Sequence, residues 1–277
     1  MSDPRPIGVF DSGVGGLTVL RAIREALPHE STIYLADLYH FPYGPRYQDE
    51  VRGFAFDIIR YLESRDVKLV VIACNTATAA ALNQARELFE VPIVGVIRPG
   101  AQAAVEATKN NRIGVIATQG AVQSQEYLHA IKDLDPMIGV FQKPCPELVE
   151  IVESGEADSP RAENALKRDL ADIVRVGADT LVLGCTHYPL LKPAIARVYR
   201  DAFQLVDSAT TTAQKVERML DHSRLRADGS DGAAPPAHEV LVTAMPEHFH
   251  AVASNIFGEA VDAEEVRIWE EQKAQTR

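Results

Sequence analysis

Two of the three cysteines, Cys74 and Cys185, stand where an apolar run ends and a short polar stretch begins. A thiol in such a place can act as a nucleophile, a metal ligand or a proton carrier. A single nucleophile leaves the second cysteine without a task, and a metal site needs more His and Cys ligands than the neighbouring residues supply. Two thiols on opposite sides of one carbon suit inversion of a stereocentre, because one removes a proton and the other returns one. The alternative to a chemical role, for either cysteine taken alone, is that it is simply a small buried side chain.

Polar residues follow other apolar runs in the same way. Asp11 and Ser12 open the glycine-rich stretch 11–16, and Thr118 ends the run 112–118. The stretch 11–16 has neither the Gly-Lys-Ser/Thr of a phosphate loop nor a full GxGxxG. Backbone N–H groups and Ser12 at a helix start would hold a carboxylate, and Asp11 would pair with an ammonium group or assist a thiol. The alternative is a tight turn without a ligand.

The elements that must position these residues alternate along the chain. Short apolar runs, predicted as buried strands, lie at 6–10, 32–36, 68–73, 92–96, 112–118 and 180–184, and helical patterns lie at 17–27, 49–63 and 76–89. Strands without polar alternation, separated by helices, are typical of parallel sheets covered on both faces. The predicted fold class is therefore α/β, in which ligands bind beyond the carboxyl ends of the strands.

The pattern repeats once. Residues 112–118 resemble 6–12 at an offset of 106, and 180–187 resemble 69–76 at an offset of 111. In the second pair a cysteine ends the strand both times, and a small polar residue follows it. Chance similarity between buried strands is the alternative. We interpret the two similar offsets as two related α/β domains whose cysteines meet across a cleft.

Composition restricts the class of protein. The 277 residues suffice for one large domain or two modest ones, and 46% hydrophobic with 24% charged residues excludes a mainly disordered chain. The net charge of −11 argues against a nucleic-acid duplex or an anionic membrane as the main partner. Three scattered cysteines without CxxC support neither a zinc ribbon nor a disulfide framework. Without a secretory pattern or a membrane-spanning run, a reducing cytoplasm is expected.

The C-terminal part carries weaker signals. Residues 223–238, with Asp228-Gly229-Ser230-Asp231-Gly232-Ala233, are predicted to form a flexible loop. A strand at 240–243, a helix that begins near Pro246 and a short strand around Val266-Arg267-Ile268 should follow. The sequence pattern leaves open which sheet this unit joins.

Five stretches together carry a family resemblance. They are 10–17 (FDSGVGGL), 41–44 (FPYG), 73–78 (ACNTAT), 183–189 (LGCTHYP) and 206–209 (VDSA). In this order, from about Ile7 to Ala209, the sequence resembles the glutamate racemases of the cofactor-independent aspartate/glutamate racemase superfamily. The chain departs from the family at Ala121, where a second Thr often follows Thr118. Cys145 matches a family cysteine outside the catalytic pair and is interpreted as structural.

The resemblance implies two pseudo-symmetric α/β domains with mainly parallel sheets and the active site between them. The first domain would comprise 1–97 plus 207–277, and the second 98–206. Cys74 and Cys185 would be the two acid/base residues, the first assisted by Asp11 and the second by His187. Glu153 matches a further family carboxylate near the second thiol, with a solvated helix-end acid as the alternative. The implied substrate shell is Asp11, Ser12, Tyr43, Gly44, Asn75, Thr76, Thr118, Thr186 and His187.

The activity implied by the resemblance is interconversion of L- and D-glutamate without a cofactor or metal, with Cys74 acting on D-glutamate and Cys185 on L-glutamate. It would supply D-glutamate for peptidoglycan in the cytoplasm, as a homodimer without direct nucleic-acid or membrane binding. Aspartate racemase or another isomerase of the superfamily is the second hypothesis. A binding module is the third, since some family members inhibit DNA gyrase. A cysteine hydrolase has no use for the second thiol.

Overall fold

The computed structural model describes residues 2–227, 229–230, 234–245, 249–258 and 260–269 of the chain. The strands in these ranges are Ile7–Asp11 (β1), Thr32–Ala36 (β2), Leu69–Ile72 (β3), Ile93–Gly95 (β4), Arg112–Ala117 (β5), Gly139–Pro144 (β6), Thr180–Gly184 (β7), Gln204–Asp207 (β8), His238–Val242 (β9) and Glu264–Glu265 (β10).

The α-helices in these ranges are Leu17–Ala26 (α1), Gln48–Ser64 (α2), Asn75–Leu88 (α3), Ile97–Ala107 (α4), Gln119–Gln123 (α5), Glu126–Leu134 (α6), Glu147–Glu153 (α7), Pro160–Asp169 (α8), Ala171–Arg175 (α9), Lys192–Tyr199 (α10), Ser208–Ser223 (α11) and Phe249–Phe257 (α12). A 3₁₀ helix covers Tyr188–Leu191. None of the helices within the described ranges is both long and apolar enough to cross a membrane.

The described strands form two sheets in which all neighbours are parallel. The first sheet has the order β10-β9-β2-β1-β3-β4, and the second has the order β6-β5-β7-β8. Ile7 on β1 pairs with Leu69 on β3, and Ile113 on β5 pairs with Thr180 on β7. These pairs are related by the offsets of 106 and 111 that the sequence repeat predicted. The α/β fold class and its two related units are therefore confirmed.

Both faces of each sheet are covered by helices. Val9 of β1 packs with Leu20 of α1 and Val216 of α11, whereas the next residue, Phe10, packs on the other face with Ile58 of α2. In the second sheet, α4 and α6 cover one face, and α7 to α10 cover the other. Successive side chains of a strand point to opposite faces. Each strand therefore has to be apolar throughout, which explains the runs without polar alternation.

The sheets draw on different parts of the chain. Strands of the first sheet come from 7–95 and 238–265, and strands of the second from 112–207. We call each sheet with the helices that cover it the first half and the second half. This distribution supports the division into 1–97 plus 207–277 and 98–206, whose exact boundaries stay a proposal.

The C-terminal unit joins the first sheet through β9 and β10. The final strand lies at Glu264–Glu265, slightly before the predicted 266–268, although the Val266 N–H still donates to Val242 O at 2.8 Å. Within the predicted loop 223–238, Asp228 and residues 231–233 lie outside the described residues, and so does Pro246. The helix predicted near Pro246 is present as α12 and is described from Phe249.

Gly114→Ala is expected to lower the free energy of unfolding by about 1–3 kcal/mol. A Cβ on Gly114 would lie 2.4 Å from Ile173 Cγ2, where β5 meets α9. Gly53→Ala in α2 is the matched control, because its Cβ meets nothing within 4 Å. Gly53→Ala should raise the free energy of unfolding by about 0.5–1 kcal/mol, because alanine has the higher helix propensity. Urea denaturation measures the free energy of unfolding of both variants. If Gly114→Ala leaves it unchanged, the Ile173 side chain moves aside without loss of stability.

Candidate active site

A cavity of about 290 Å³ lies where the strand ends of the two halves face each other. Its size is close to the lower end for small-molecule sites, about 300–1,000 Å³. Of the site residues predicted from the sequence, those that line it are Ser12, Tyr43, Gly44, Cys74, Asn75, Thr76, Thr118, Glu153, Cys185, Thr186 and His187. Asp11 is fully buried behind this lining. The structure thus brings all the predicted residues to one place.

Cys74 lies between β3 and α3 and is the N-cap residue of α3. Its Sγ accepts the N–H of Ala77 at 3.4 Å and lies 3.7 Å from Ser12 Oγ. The N–H group at the start of α3 favours the thiolate, but other effects are larger. Burial, and next the charge of Asp11, raise the pKa of Cys74 to about 12 against the opposing effects of Ala77 and Ser12. Cys74 is therefore a protonated thiol, which can donate a proton.

Cys185 occupies the matching position after β7 but has different partners. Cys74 is followed directly by an α-helix, whereas a 3₁₀ helix starts three residues after Cys185. Cys185 Sγ instead lies 3.7 Å from His187 Nδ1, and His187 Nε2 lies 2.5 Å from Glu153 Oε1 at the end of α7. Burial lowers the pKa of His187, but the hydrogen bonds and charges of Cys185 and Glu153 outweigh it and raise this pKa to about 10. A protonated His187 stabilises a thiolate at Cys185.

Asp11, at the end of β1, connects the two halves. Its Oδ1 accepts the Gly13 N–H at 2.8 Å, and its Oδ2 accepts the Thr186 hydroxyl from the second half at 3.2 Å. Burial raises the pKa of Asp11 to about 6, although the charge of His187 and these hydrogen bonds lower it. The carboxyl group therefore changes charge near neutral pH.

Gly15 allows this close approach. A Cβ at that position would lie 2.5 Å from Thr186 Oγ1 and 2.8 Å from His187 Nδ1. Any side chain would push the Thr186-His187 pair away from the glycine-rich turn. The turn is therefore more than a connection between a strand and a helix, because it shapes one wall of the site.

The halves also meet on the other side of the cavity. Thr76 Oγ1 and Thr118 Oγ1 are 2.8 Å apart, and the Gly120 N–H donates to Gly44 O at 2.9 Å. Gln48 Nε2 donates to Gly120 O at 3.1 Å. Direct hydrogen bonds therefore connect the two halves on both sides of the space that a ligand would fill.

The turn at Tyr43 and Gly44 is anchored by Asp37, which sequence reasoning missed. The Tyr43 hydroxyl donates to Asp37 Oδ2 at 2.6 Å, and the Thr243 hydroxyl donates to Asp37 Oδ1 at 2.8 Å. His40 Nδ1 lies 2.9 Å from the same carboxylate. Tyr43 lines the cavity while its hydroxyl is engaged by Asp37. A polar residue directly after β2 was a signal that could have identified Asp37.

Asn75, at the start of α3, presents an unused donor. Its side chain is only 2% exposed, and its Oδ1 accepts the Tyr127 hydroxyl at 2.7 Å. Within the described part of the chain, its Nδ2 has no hydrogen-bond partner. Asn75 lines the cavity, so a ligand could satisfy this donor. Tyr127 was also missed, because a tyrosine inside an amphipathic helix carries no sequence signal.

The remaining lining residues are Phe41, Pro42, Pro45, Gln119, Pro146, Val149 and Glu150, none of which the sequence analysis assigned to the site. No Lys or Arg occurs among the lining residues that the structure describes. A carboxylate here would depend on amide and hydroxyl donors, on the N–H groups that open α3 and on the cationic His187. With a thiol from each half, the site suits proton transfer on a small anionic ligand.

Asp11→Asn is expected to change the pH dependence of stability. Because the folded pKa of about 6 lies above the ordinary 3.8, ionisation is disfavoured in the folded protein. The free energy of unfolding should therefore fall by up to about 3 kcal/mol through this group as the pH rises from about 4 to 7. The variant lacks this loss, so its stability relative to the unsubstituted protein should increase over that range. Urea denaturation at several pH values tests this, and parallel profiles would contradict it.

Comparisons with known proteins agree with this geometry. The model of the Asp/Glu/hydantoin racemase family matches residues 7–216. A glutamate racemase from Exiguobacterium sibiricum is 41% identical over 269 residues, which are 97% of this chain and 98% of that protein. The structure of a Bacillus anthracis glutamate racemase aligns with TM-score 0.89 at 38% identity, over 95% of this chain and 97% of the other. The structure of a Francisella tularensis glutamate racemase in complex with D-glutamate aligns with TM-score 0.89 at 30% identity, over 97% of this chain and 99% of the other.

Proposed function

The chain belongs to the Asp/Glu/hydantoin racemase family and, within it, to the glutamate racemases; we propose that it interconverts L- and D-glutamate by moving a proton at the α-carbon between two thiols. The observation that carries this proposal is the pair Cys74 and Cys185. They follow equivalent strands of two related halves and line one cavity. A substrate held between them offers one face to each thiol.

The two thiols have different charged neighbours. Protonated His187 favours a thiolate at Cys185, whereas burial and Asp11 keep Cys74 protonated. In this form the Cys185 thiolate removes the α-proton of L-glutamate, and the Cys74 S–H gives its proton to the opposite face of the carbanion. The products are D-glutamate, a Cys185 thiol and a Cys74 thiolate. D-glutamate reacts by the reverse sequence.

Substrate binding uses the donors around the cavity. Asn75, Thr76 and Thr186, together with the turn at Ser12, would hold the amino-acid backbone. The backbone N–H groups of the Tyr43-Gly44 turn would hold the side-chain carboxylate. The substrate ammonium group would bring a positive charge near Cys74, and this charge favours the thiolate that the reverse reaction needs.

The proposed reaction requires stabilisation of a carbanion without a cofactor. Both thiols and the polar residues beside them are buried, and a site from which bound substrate excludes water strengthens the effect of each fixed dipole and charge. His187 is the one cation among the described lining residues, and it lies beside the thiol that acts on L-glutamate. Supply of D-glutamate for peptidoglycan would be the role of the reaction. The homodimer, the cytoplasmic location, the absence of nucleic-acid binding and a gyrase interaction stay predictions from the sequence.

The experiment for this proposal is chiral analysis after separate incubation with L-Glu, D-Glu, L-Asp and D-Asp. Both glutamate enantiomers should approach an equal mixture, while aspartate reacts much more slowly. Racemisation of aspartate and not glutamate would assign the chain to aspartate racemases instead. No racemisation of any of the four would contradict the proposed chemistry.

A further inference from the structure

The orientation of the Asn75 amide is decisive for any anion in the cavity. An amide has an acceptor end and a donor end, and only the donor end attracts a carboxylate. Asn75 is buried, so neither end can be satisfied freely by bulk water. Its Oδ1 is engaged and its Nδ2 is not. Something in the protein must therefore hold the amide in this orientation before the substrate arrives.

Tyr127 is the residue that holds it. Its hydroxyl lies 2.7 Å from Asn75 Oδ1, and its side chain is fully buried in α6 of the second half. Burial raises the pKa of Tyr127, so the phenol keeps its proton. The Ser208 side chain lowers the same pKa, but burial outweighs this effect. The Tyr127 hydroxyl therefore donates its proton to Asn75 Oδ1.

We propose that Tyr127 is a positioning residue, which holds Asn75 Oδ1 and thereby turns Asn75 Nδ2 toward a carboxylate of the bound amino acid. The inference rests on the proposed function, because it assumes an amino-acid substrate in this cavity. Asn75 belongs to the first half, whereas Tyr127 belongs to the second and Ser208 follows the last strand of the second sheet. The donor is therefore correctly oriented only when the two halves keep this arrangement.

Tyr127→Phe removes the hydroxyl and keeps the ring. We expect KM to rise about tenfold for both L- and D-glutamate, with kcat changed less than about threefold, because a bound carboxylate would then leave Oδ1 buried without a donor. Asn75→Ala should raise KM by at least about tenfold. In the double variant, Tyr127→Phe should add nothing to the effect of Asn75→Ala, since Tyr127 acts only through that amide.

Tyr199→Phe is the matched control. Tyr199 also loses a hydroxyl bond, to Leu166 O at 3.1 Å, but it lies on α10 away from the cavity, so KM should stay the same. Ser208→Ala is a second variant. Ser208 Cβ and the Tyr127 hydroxyl oxygen both lie 3.4 Å from a Cβ built at Gly100, so loss of the Ser208 hydroxyl should disturb the Tyr127 hydroxyl and raise KM about threefold only when Asn75 is present. If Tyr127→Phe does not fold, the KM values of Ser208→Ala, Asn75→Ala and their double variant test the inference instead.

Three results would overturn the inference. Unchanged KM in both Tyr127→Phe and Ser208→Ala, with Asn75→Ala impaired, would leave the proposed racemisation intact and remove the role of Tyr127. Additive effects in the double variants would show that Tyr127 acts through another contact. An unchanged KM in Asn75→Ala would remove the carboxylate contact itself. Failure of the unsubstituted protein to racemise glutamate, measured in the same assay, would instead refute the proposed function.

Discussion

Cys74→Ala and Cys185→Ala should each reduce racemisation in both directions by about 10²–10⁴-fold or more, the usual contribution of an acid/base group. Each thiol would serve one face of the substrate, so neither can replace the other. Both side chains line the cavity, and the free energy of unfolding should change by only about 1 kcal/mol. Rate assays with both enantiomers and urea denaturation measure these effects together.

The control is Cys145→Ala. Cys145 is buried in the core of the second half and does not line the cavity, so this variant should keep its turnover within about twofold. Cys74→Ser and Cys185→Ser should lose almost as much activity as the alanine variants, because a hydroxyl is a much weaker acid than a thiol. Substantial turnover in both directions by Cys74→Ser would contradict the two-thiol mechanism.

Reaction in D₂O gives the same prediction a second readout. Two thiols exchange their protons with solvent, so the product should carry deuterium at the α-carbon from the first turnover. A single base would return much of the original proton to the product. Mass spectrometry of the product at low conversion therefore separates the two mechanisms without any substitution.

His187→Asn should lower turnover by about 10²–10³-fold, because a charge at about 4 Å contributes up to about 4 kcal/mol near a protein surface. The imidazolium lies 3.7 Å from Cys185 and is the charge that favours its thiolate. Glu153→Gln should have a smaller effect, about tenfold. It keeps the shape of the side chain and removes the negative charge beside His187 Nε2.

The pH profile separates Glu153 from a purely structural residue. His187 stays protonated up to about pH 10 partly because Glu153 raises its pKa. In Glu153→Gln this pKa falls, and the alkaline decline of activity should move to lower pH. Glu147→Gln on the same helix is the control, since Glu147 pairs with Arg168 at 2.9 Å. An alkaline limb that is unchanged in Glu153→Gln would show that Glu153 does not set the charge of His187.

Much of the fold and the site could be predicted because both depend on local patterns. The apolar run 69–73 and the polar residues after it predict β3 and the position of Cys74 at its end. The raised pKa of Cys74 could not be predicted, because it depends on burial and on the charge of Asp11 from a different strand. The roles of Asp37 and Tyr127 depend on contacts between distant segments, which no pattern of neighbouring residues reports.

The unlike partners of the two thiols cannot favour one product. L- and D-glutamate are enantiomers with equal free energies in water, so their equilibrium ratio is one and kcat/KM must be the same in both directions. Asp11 beside one thiol and His187 beside the other can therefore make kcat and KM differ between the two directions, but not their ratio. In the proposed mechanism, each conversion of L-glutamate would leave a thiolate on Cys74 and a protonated thiol on Cys185. The free enzyme would then have to move a proton from Cys185 back to Cys74 before it accepts another L-glutamate. At saturating substrate, that internal proton return becomes part of the catalytic cycle.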